Sequence, residues 1–251
     1  TLFTIFIIQL LVVNKTLSNE GEVKDCFEKL NRATFALNMG LDKVIFKPVS
    51  KGYRKLPSPI RTGTGNALNN LSNLITIPNN ILQGDFGSAA NNSARLLINT
   101  TLGIAGIFDP ANSFGFEKRE KEDFGQTLGV MGVGEGCYLV LPVLGPTTVR
   151  DTIGSLVAMN GGDVWHNITV RDDEEYVREF KESDYWVSRV ASGVDFRAKN
   201  LEAFDAMEKS SVDLYATVRS LYLQDRKKKI NNSSDKTEAM DDGDWDTLEK
   251  Q

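Results

Sequence analysis

Residues 122–146, EDFGQTLGVMGVGEGCYLVLPVLGP, are apolar yet interrupted throughout by glycine and proline. Glycines at 125, 129, 132, 134 and 136 forbid a long stable helix, since each costs about 1 kcal/mol against alanine in a helix interior. Tyr138 to Leu144 has strand composition, but Pro142 sits inside it and has no N–H for a ladder. The stretch is therefore expected to form a compact apolar hairpin or a re-entrant loop. Thr147 or Thr148 then offers a side-chain oxygen to cap a helix reaching about Met159. Asp123-Phe124-Gly125 matches the metal-binding triplet of protein kinases, but no H-R-D loop or V-A-I-K strand accompanies it, so the match carries no weight. The glycines fit neither G-x-G-x-x-G nor a P-loop, so no glycine-rich phosphate loop is expected.

Upstream, 85–108 is small and apolar, with Arg95 the only charge between Asp85 and Asp109. A helix apolar on more than one face is either buried or lipid-facing. Asp109-Pro110 ends it, and 111–123 form a charged connection. Residues 60–83 are rich in Asn, with Leu68, Leu71, Leu74, Ile75 and Ile77 between, and read as two short helices broken at Pro78. In 24–46, Phe27, Leu30, Thr34, Leu37, Leu41, Val44 and Ile45 fall at helical spacing, which predicts an amphipathic helix. Pro48, Pro57 and Pro59 then break regular structure. Downstream, Gly161-Gly162 marks a turn. Residues 172–190, 194–209 and 211–228 read as amphipathic helices. The last carries Leu214, Tyr215, Val218, Leu221 and Tyr222 on one side. From Arg226 the chain is polar and charged, and 229–251 is expected to be a disordered tail. The fold class is mainly all-α.

The bulk properties narrow the partners. A net charge of −5 argues against a nucleic-acid binder, which needs a basic face to release counterions. Leu2 to Val13, LFTIFIIQLLVV, is uncharged but too short for a hydrocarbon core of roughly 30 Å. It fits the apolar region of a secretory signal peptide over residues 1–18, with the cut after Ser18; an uncleaved membrane anchor is the alternative. No other segment is long and apolar enough to span a bilayer. Cys26 follows Val23-Lys24-Asp25, which is unlike a lipobox. An oxidising compartment would permit a bridge between Cys26 and Cys137, but two unpaired small side chains serve as well on sequence grounds.

The chemical inventory is poor. His166 is the only histidine, and no G-x-S-x-G elbow occurs. It reads as a surface or packing residue rather than a base. Two cysteines and one histidine are too few for the usual metal clusters, so neither metal nor cofactor is expected. Arg150-Asp151 reads as a local ion pair or cap. Apolar surface comes instead in short amphipathic pieces, a pattern that suits a protein lying in one leaflet. Residue patterning alone slightly favours an ordinary buried core with a glycine-rich loop.

A resemblance goes further. Asn31-Arg32 with Phe35, Asn38, Leu41-Asp42 and Pro48; Asn69-Asn70-Leu71 with Pro78; Leu82-Gln83-Gly84; Arg95 with Ile98-Asn99-Thr100-Thr101-Leu102-Gly103; Gly106 with Asp109; Glu122-Asp123-Phe124-Gly125-Gln126-Thr127-Leu128-Gly129; Gly132-Val133-Gly134; Tyr138-Leu139-Val140-Leu141-Pro142 with Leu144-Gly145-Pro146; and Arg150-Asp151 with Gly154 together resemble the MlaA (VacJ) family of outer-membrane phospholipid-transport proteins. The blocks run in one order from about residue 25 to about 230, and Tyr215, Val218-Arg219 and Tyr222-Leu223-Gln224 extend the likeness. The MlaA-like domain is placed at 19–228.

The resemblance implies a ring-like assembly of amphipathic helices embedded in the inner leaflet of the outer membrane, at its periplasmic face. It implies non-catalytic phospholipid transport: an amphipathic channel takes phospholipids misplaced in the outer leaflet and passes them to a periplasmic lipid-carrier protein, with a trimeric porin as partner. A porin-associated adaptor that moves no lipid is the alternative. Channel-lining or gating candidates are Asn31, Phe35, Asn38, Gln126, Leu128, Val133, Tyr138 and Leu141. Hinge candidates are Gly129, Gly132, Gly134 and Gly136. Family members commonly carry proline after the glycine at 136, where this chain has Cys137, which implies a different loop conformation there.

Overall fold

The computed structural model describes residues 23–171 and 180–231. The expected signal peptide, residues 172–179 of the helix expected over 172–190, and the tail beyond Asn231 lie outside the described residues. The chain is mainly helical, as the sequence pattern predicts, and no described helix is long and apolar enough to cross a membrane.

Helix α1 (Glu28–Leu41) places Glu28 in its first turn, where a negative charge complements the helix dipole. Pro48 does not interrupt the helical path. A π-helical turn, Asp42–Phe46, comes before it, so Pro48 falls in the first turn of α2 (Lys47–Arg54), where a missing N–H is tolerated. Pro57 and Pro59 do punctuate the chain: Pro57 caps α3 (Ser58–Leu82) and Pro59 sits in its first turn. The break expected at Pro78 does not occur, and α3 runs 25 residues through it. The Asn79 amide donates to the Ile75 carbonyl at 2.8 Å, and packing of α3 on α4 (Phe86–Thr101) outweighs a local proline cost of roughly 3 kcal/mol.

Helix α4 starts at Asp85, whose carboxylate accepts from the Ser88 N–H at 2.9 Å. It stops at Thr101 rather than Phe108. Ile104, Ala105 and Gly106 all take positive φ and turn the chain back toward α5 (Pro110–Ser113). At Gly106 a Cβ would meet Asn70 Cβ at 2.6 Å, so α3 requires glycine there.

The stretch at 122–146 resolves into three pieces. Asp123 caps a two-turn helix, α6 (Phe124–Val130), a turn-link comes next, and β1 (Tyr138–Leu141) pairs antiparallel with β2 (Gly145–Thr148). The helix in the first part was not expected; of the two expected forms, hairpin or re-entrant loop, the C-terminal part takes the hairpin. Pro142 lies in its turn, with Val143 at φ +66°, and so never faces the ladder. Thr148 caps α7 (Val149–Val157), accepting from the Asp151 N–H at 3.2 Å. Next along the chain are a π turn, Ala158–Gly162, the short α8 (Val164–His166) and a second π turn.

The C-terminal helices are α9 (Glu182–Lys199), α10 (Leu201–Ser210) and α11 (Leu214–Ile230). Their breaks differ from those expected. Helix α9 continues through 191–193, and the interruption falls at Asn200. Helix α11 includes Arg226 and extends to Ile230, past the start of the tail placed at 229, because Arg226 is held inside the molecule.

Burial is inverted relative to an ordinary globular core. Among the described residues, buried apolar side chains are few and four of them are alanines; a cluster of buried side chains joins Tyr138, Val140 and Tyr215 to Phe35, Tyr222 and Leu223. Buried polar and charged residues outnumber them, among them Asn79, Asn92, Arg95, Gln126, Arg150 and Arg226. Large apolar side chains such as Leu37, Phe86, Leu97, Ile104, Phe108 and Leu144 are exposed. Extended exposed apolar surface marks a contact with lipid or with another protein.

Candidate functional site

The hairpin is held by one face of α1. Asn31, Phe35 and Asn38 are spaced i, i+4, i+7 and point the same way. Asn31 Nδ2 donates to the Tyr138 carbonyl at 3.0 Å and to Asp25 Oδ1 at 2.7 Å, while its Oδ1 accepts from the Val140 N–H at 2.9 Å. Asn38 repeats the pattern one step along, donating to the Leu141 carbonyl at 2.9 Å and accepting from the Val143 N–H at 2.8 Å. The two amides thus satisfy the outer edge of β1 as a neighbouring strand would. Phe35 packs edge-on against Tyr215, ring centroids 5.5 Å apart. Tyr138 is fully buried between Tyr215 and Tyr222; burial, then the nearby Asp25 charge, pushes its hydroxyl up to about 12. A disulfide joins Cys26 to Cys137, Cα atoms 5.6 Å apart, and ties the approach to α1 to the root of the hairpin.

Behind the hairpin lies a charged knot. Arg226 forks onto Asp123 at 2.6 and 2.9 Å and onto Asp151 at 2.8 Å; the Tyr222 hydroxyl donates to Asp151 at 2.6 Å. Burial raises both carboxyls, but the guanidinium outweighs it and holds Asp123 and Asp151 below the ordinary carboxylate range. Asp123 of the kinase-like triplet is therefore a helix cap and an ion-pair partner. Glycine completes the knot: at Gly154 a Cβ would meet the Gly125 nitrogen at 2.3 Å, so α6 and α7 touch backbone to backbone. Gln126 is buried beside them, donating to the Lys121 carbonyl and to Asp123 at 3.1 Å each. A polar ladder continues along α3, with Thr127 donating to Asn79 at 2.6 Å and Asn92 to Asn80 at 2.9 Å.

A cavity of about 180 Å³ opens between α1, the hairpin turn and the α9–α11 helices. Phe35, Met39, Phe46, Phe204, Met207 and Val218 form its apolar wall, and Asn38, Asp42, Arg197 and Glu208 its polar lining. Arg197 grips Asp42 at 2.7 and 2.9 Å, lies 4.8 Å above the Phe204 ring, and keeps a buried Nη1 without a hydrogen-bond partner among the described residues.

Of the sequence candidates, Phe35 and Asn38 line this cavity, and Leu141 adjoins it through its carbonyl bond to Asn38. Asn31 and Tyr138 lie behind it, docking the hairpin. Gln126, Leu128 and Val133 belong to α6 and the link after it. The glycines divide: a Cβ at Gly129 would strike Ile230 at 2.7 Å and one at Gly136 would touch Val149 at 3.0 Å, whereas Gly132 and Gly134 border open space. Sequence reading missed Arg197, Phe204 and Met207, which reach the cavity from helices far along the chain. It also missed Arg226, hidden in a charge run that resembles a solvated tail. His166 packs edge-on against Tyr185, centroids 5.0 Å apart. Among the described residues no cluster of His, Cys, Asp or Glu is arranged to hold a metal.

The fold and the burial pattern define a class: a helical protein that pairs its polar groups inside and turns apolar side chains outward. The model of the MlaA lipoprotein family matches residues 23–229, and the chain belongs to that family. It is 30% identical over 226 residues to the intermembrane phospholipid transport system lipoprotein MlaA of Haemophilus influenzae, covering 87% of this chain and 84% of that one. The Escherichia coli protein of the same name is 32% identical over 205 residues, covering 80% and 76%. An uncharacterized protein of Rickettsia prowazekii is 34% identical over 200 residues, covering 79% and 75%. A structure solved in work on the structural basis for maintenance of bacterial outer membrane lipid asymmetry superposes with a TM-score of 0.70 at 30% identity, covering 83% of this chain and 100% of that one.

Proposed function

We propose that this protein is a non-catalytic component of phospholipid transport in the bacterial envelope, lying in the inner leaflet of the outer membrane as a ring of helices. In this reading it removes phospholipids from the outer leaflet and passes them to a periplasmic carrier, docked beside a trimeric porin. The observation that carries the reading is the inverted burial, with charged groups paired inside and Leu, Ile and Phe side chains outside. A phospholipid headgroup crossing hydrocarbon without polar partners costs several kcal/mol, and a polar interior lowers that cost without covalent chemistry. The cavity beside Phe35 fits a part of the lipid only. At about 180 Å³ it is close to the roughly 150 Å³ apolar cavity that takes up benzene, so it suits a stretch of acyl chain.

The test is a strain lacking the protein, complemented with wild type or with Met207→Trp, which fills the cavity. Phospholipid exposed on the surface of the deletion strain, restored by wild type and not by the variant, is the expected result. Intact asymmetry in the deletion strain overturns the reading. Phospholipid co-purified with wild type, identified by mass spectrometry, separates transport from the adaptor alternative.

A further inference from the structure

A second concavity, about 170 Å³, lies between α3, α4 and the strap at 115–123. It has no role in the site described above, and its chemistry is different. Asparagine amides of α3 and α4 form its walls, and Arg95, Lys118, Arg119 and Lys121 line it against one carboxylate, Asp109. That carboxylate is already engaged: Arg95 Nη2 donates to it at 2.7 Å and Asn99 Nδ2 at 2.9 Å. Burial raises the Asp109 carboxyl, but the bonds from Arg95 and Asn99 hold it below its ordinary range, so its negative charge is spent on Arg95. In a chain of net charge −5, this concentration of cations is local and specific.

The site is built rather than incidental. The strap is fastened along both edges: Arg95 donates to the Phe116 carbonyl, Asn91 to the Glu117 carbonyl at 2.8 Å, Lys121 to the Asn69 side chain, and Thr76 accepts from the Glu122 N–H at 3.4 Å. These bonds fix the strap so that Lys118, Arg119 and Lys121 line the basin, while Glu117 and Glu120 do not. In the wall, Asn70 is buried and its Nδ2 donates to the Thr100 hydroxyl at 2.8 Å, which fixes that side of the basin. Leu97, Leu102, Ile104 and Phe108, on α4 and the turn after it, are exposed but do not line the basin. A hollow lined by guanidinium, ammonium and amide groups matches the oxygens of a phosphate group.

We propose that this basin binds a phosphate group, either the free anion or the phosphodiester of a phospholipid headgroup, with Lys118 and Arg119 as the contacts to its oxygens. The lipid source rests on the function proposed above; the anion chemistry does not. The full chain in neutral detergent is titrated with dihexanoyl phosphatidylglycerol, with inorganic phosphate, and with dihexanoyl glycerol, which lacks the phosphate. Wild type is expected to bind at least one phosphate-bearing probe. The K118Q/R119Q variant, altered only at exposed side chains, is expected to bind it at least tenfold more weakly. Phosphatidylglycerol binding that inorganic phosphate does not displace assigns the site to the headgroup; binding of inorganic phosphate with equal strength assigns it to the free anion. Equal binding by wild type and K118Q/R119Q, or equal binding of dihexanoyl glycerol, overturns the proposal. A deletion strain with intact lipid asymmetry and a basin that still binds inorganic phosphate would defeat the transport reading and leave the phosphate site standing.

Discussion

Arg226 shows how far the reach of a single side chain extends. Its guanidinium neutralises two carboxylates that come from positions 103 and 75 residues away in the chain. Breaking a buried pair by removing one partner leaves the other charges uncompensated, which costs about 3–5 kcal/mol. Asp123 is half-exposed, so Arg226→Met is expected at the lower end, about 3 kcal/mol, read from urea unfolding in detergent. The pH dependence has a definite sign. Asp123 and Asp151 are held below the ordinary carboxylate range, so their contribution is full above about pH 4 and is lost as pH falls through that value toward their folded pKa. Wild type is expected to lose stability steeply below about pH 4 and Arg226→Met to show a shallower slope; equal slopes would mean the guanidinium is not what sets these carboxyls. No local sequence signal marks this residue, since RKKK reads as solvated charge until Asp123 and Asp151 are known to converge on it. Asn31, Phe35 and Asn38 are the opposite case. Their helical spacing is visible in the sequence, and the structure places them on one face.

Among the elements, the hairpin was partly legible, because strand-forming residues flank Pro142, which has no N–H for a ladder; the helix α6 was not, since Gly125 and Gly129 lie inside it. The disulfide was not, since two cysteines 111 residues apart give no sign of their separation in space. Nor was the uninterrupted α3, where packing against α4 overrides a proline. The disulfide adds a third tie between the α1 region and the hairpin, beside Asn31 and Asn38. It closes a long loop, so its removal relaxes the unfolded chain more than it loosens the folded one. The double variant Cys26→Ser/Cys137→Ser is expected to be less stable by about 2–4 kcal/mol, with a lower thermal midpoint. Reductant should lower the wild-type midpoint and leave the variant unchanged. A wild-type midpoint indifferent to reductant would show that the bridge contributes nothing.

At the scale of the whole molecule, the arrangement of surfaces was hardest to read from sequence, because apolar periodicity marks a face without saying whether it meets protein or lipid. The same leucines and isoleucines that would fill an ordinary core point outward, and the interior is closed by amides, carboxylates and guanidinium groups. Such a molecule is costly in water and favourable where hydrocarbon covers its flank. Leu97, Ile104 and Phe108 stand 66%, 62% and 59% exposed on α4 and the turn beyond it. Taking such a side chain fully out of water is worth about 1.5–3 kcal/mol, and every 1.4 kcal/mol is about a factor of ten in partition. The triple variant L97S/I104S/F108S is therefore expected to bind phospholipid vesicles at least about 100-fold more weakly in a flotation assay. Its circular dichroism should match wild type, because these side chains add little to the folded interior. Unchanged flotation would mean that this flank faces a protein partner rather than lipid.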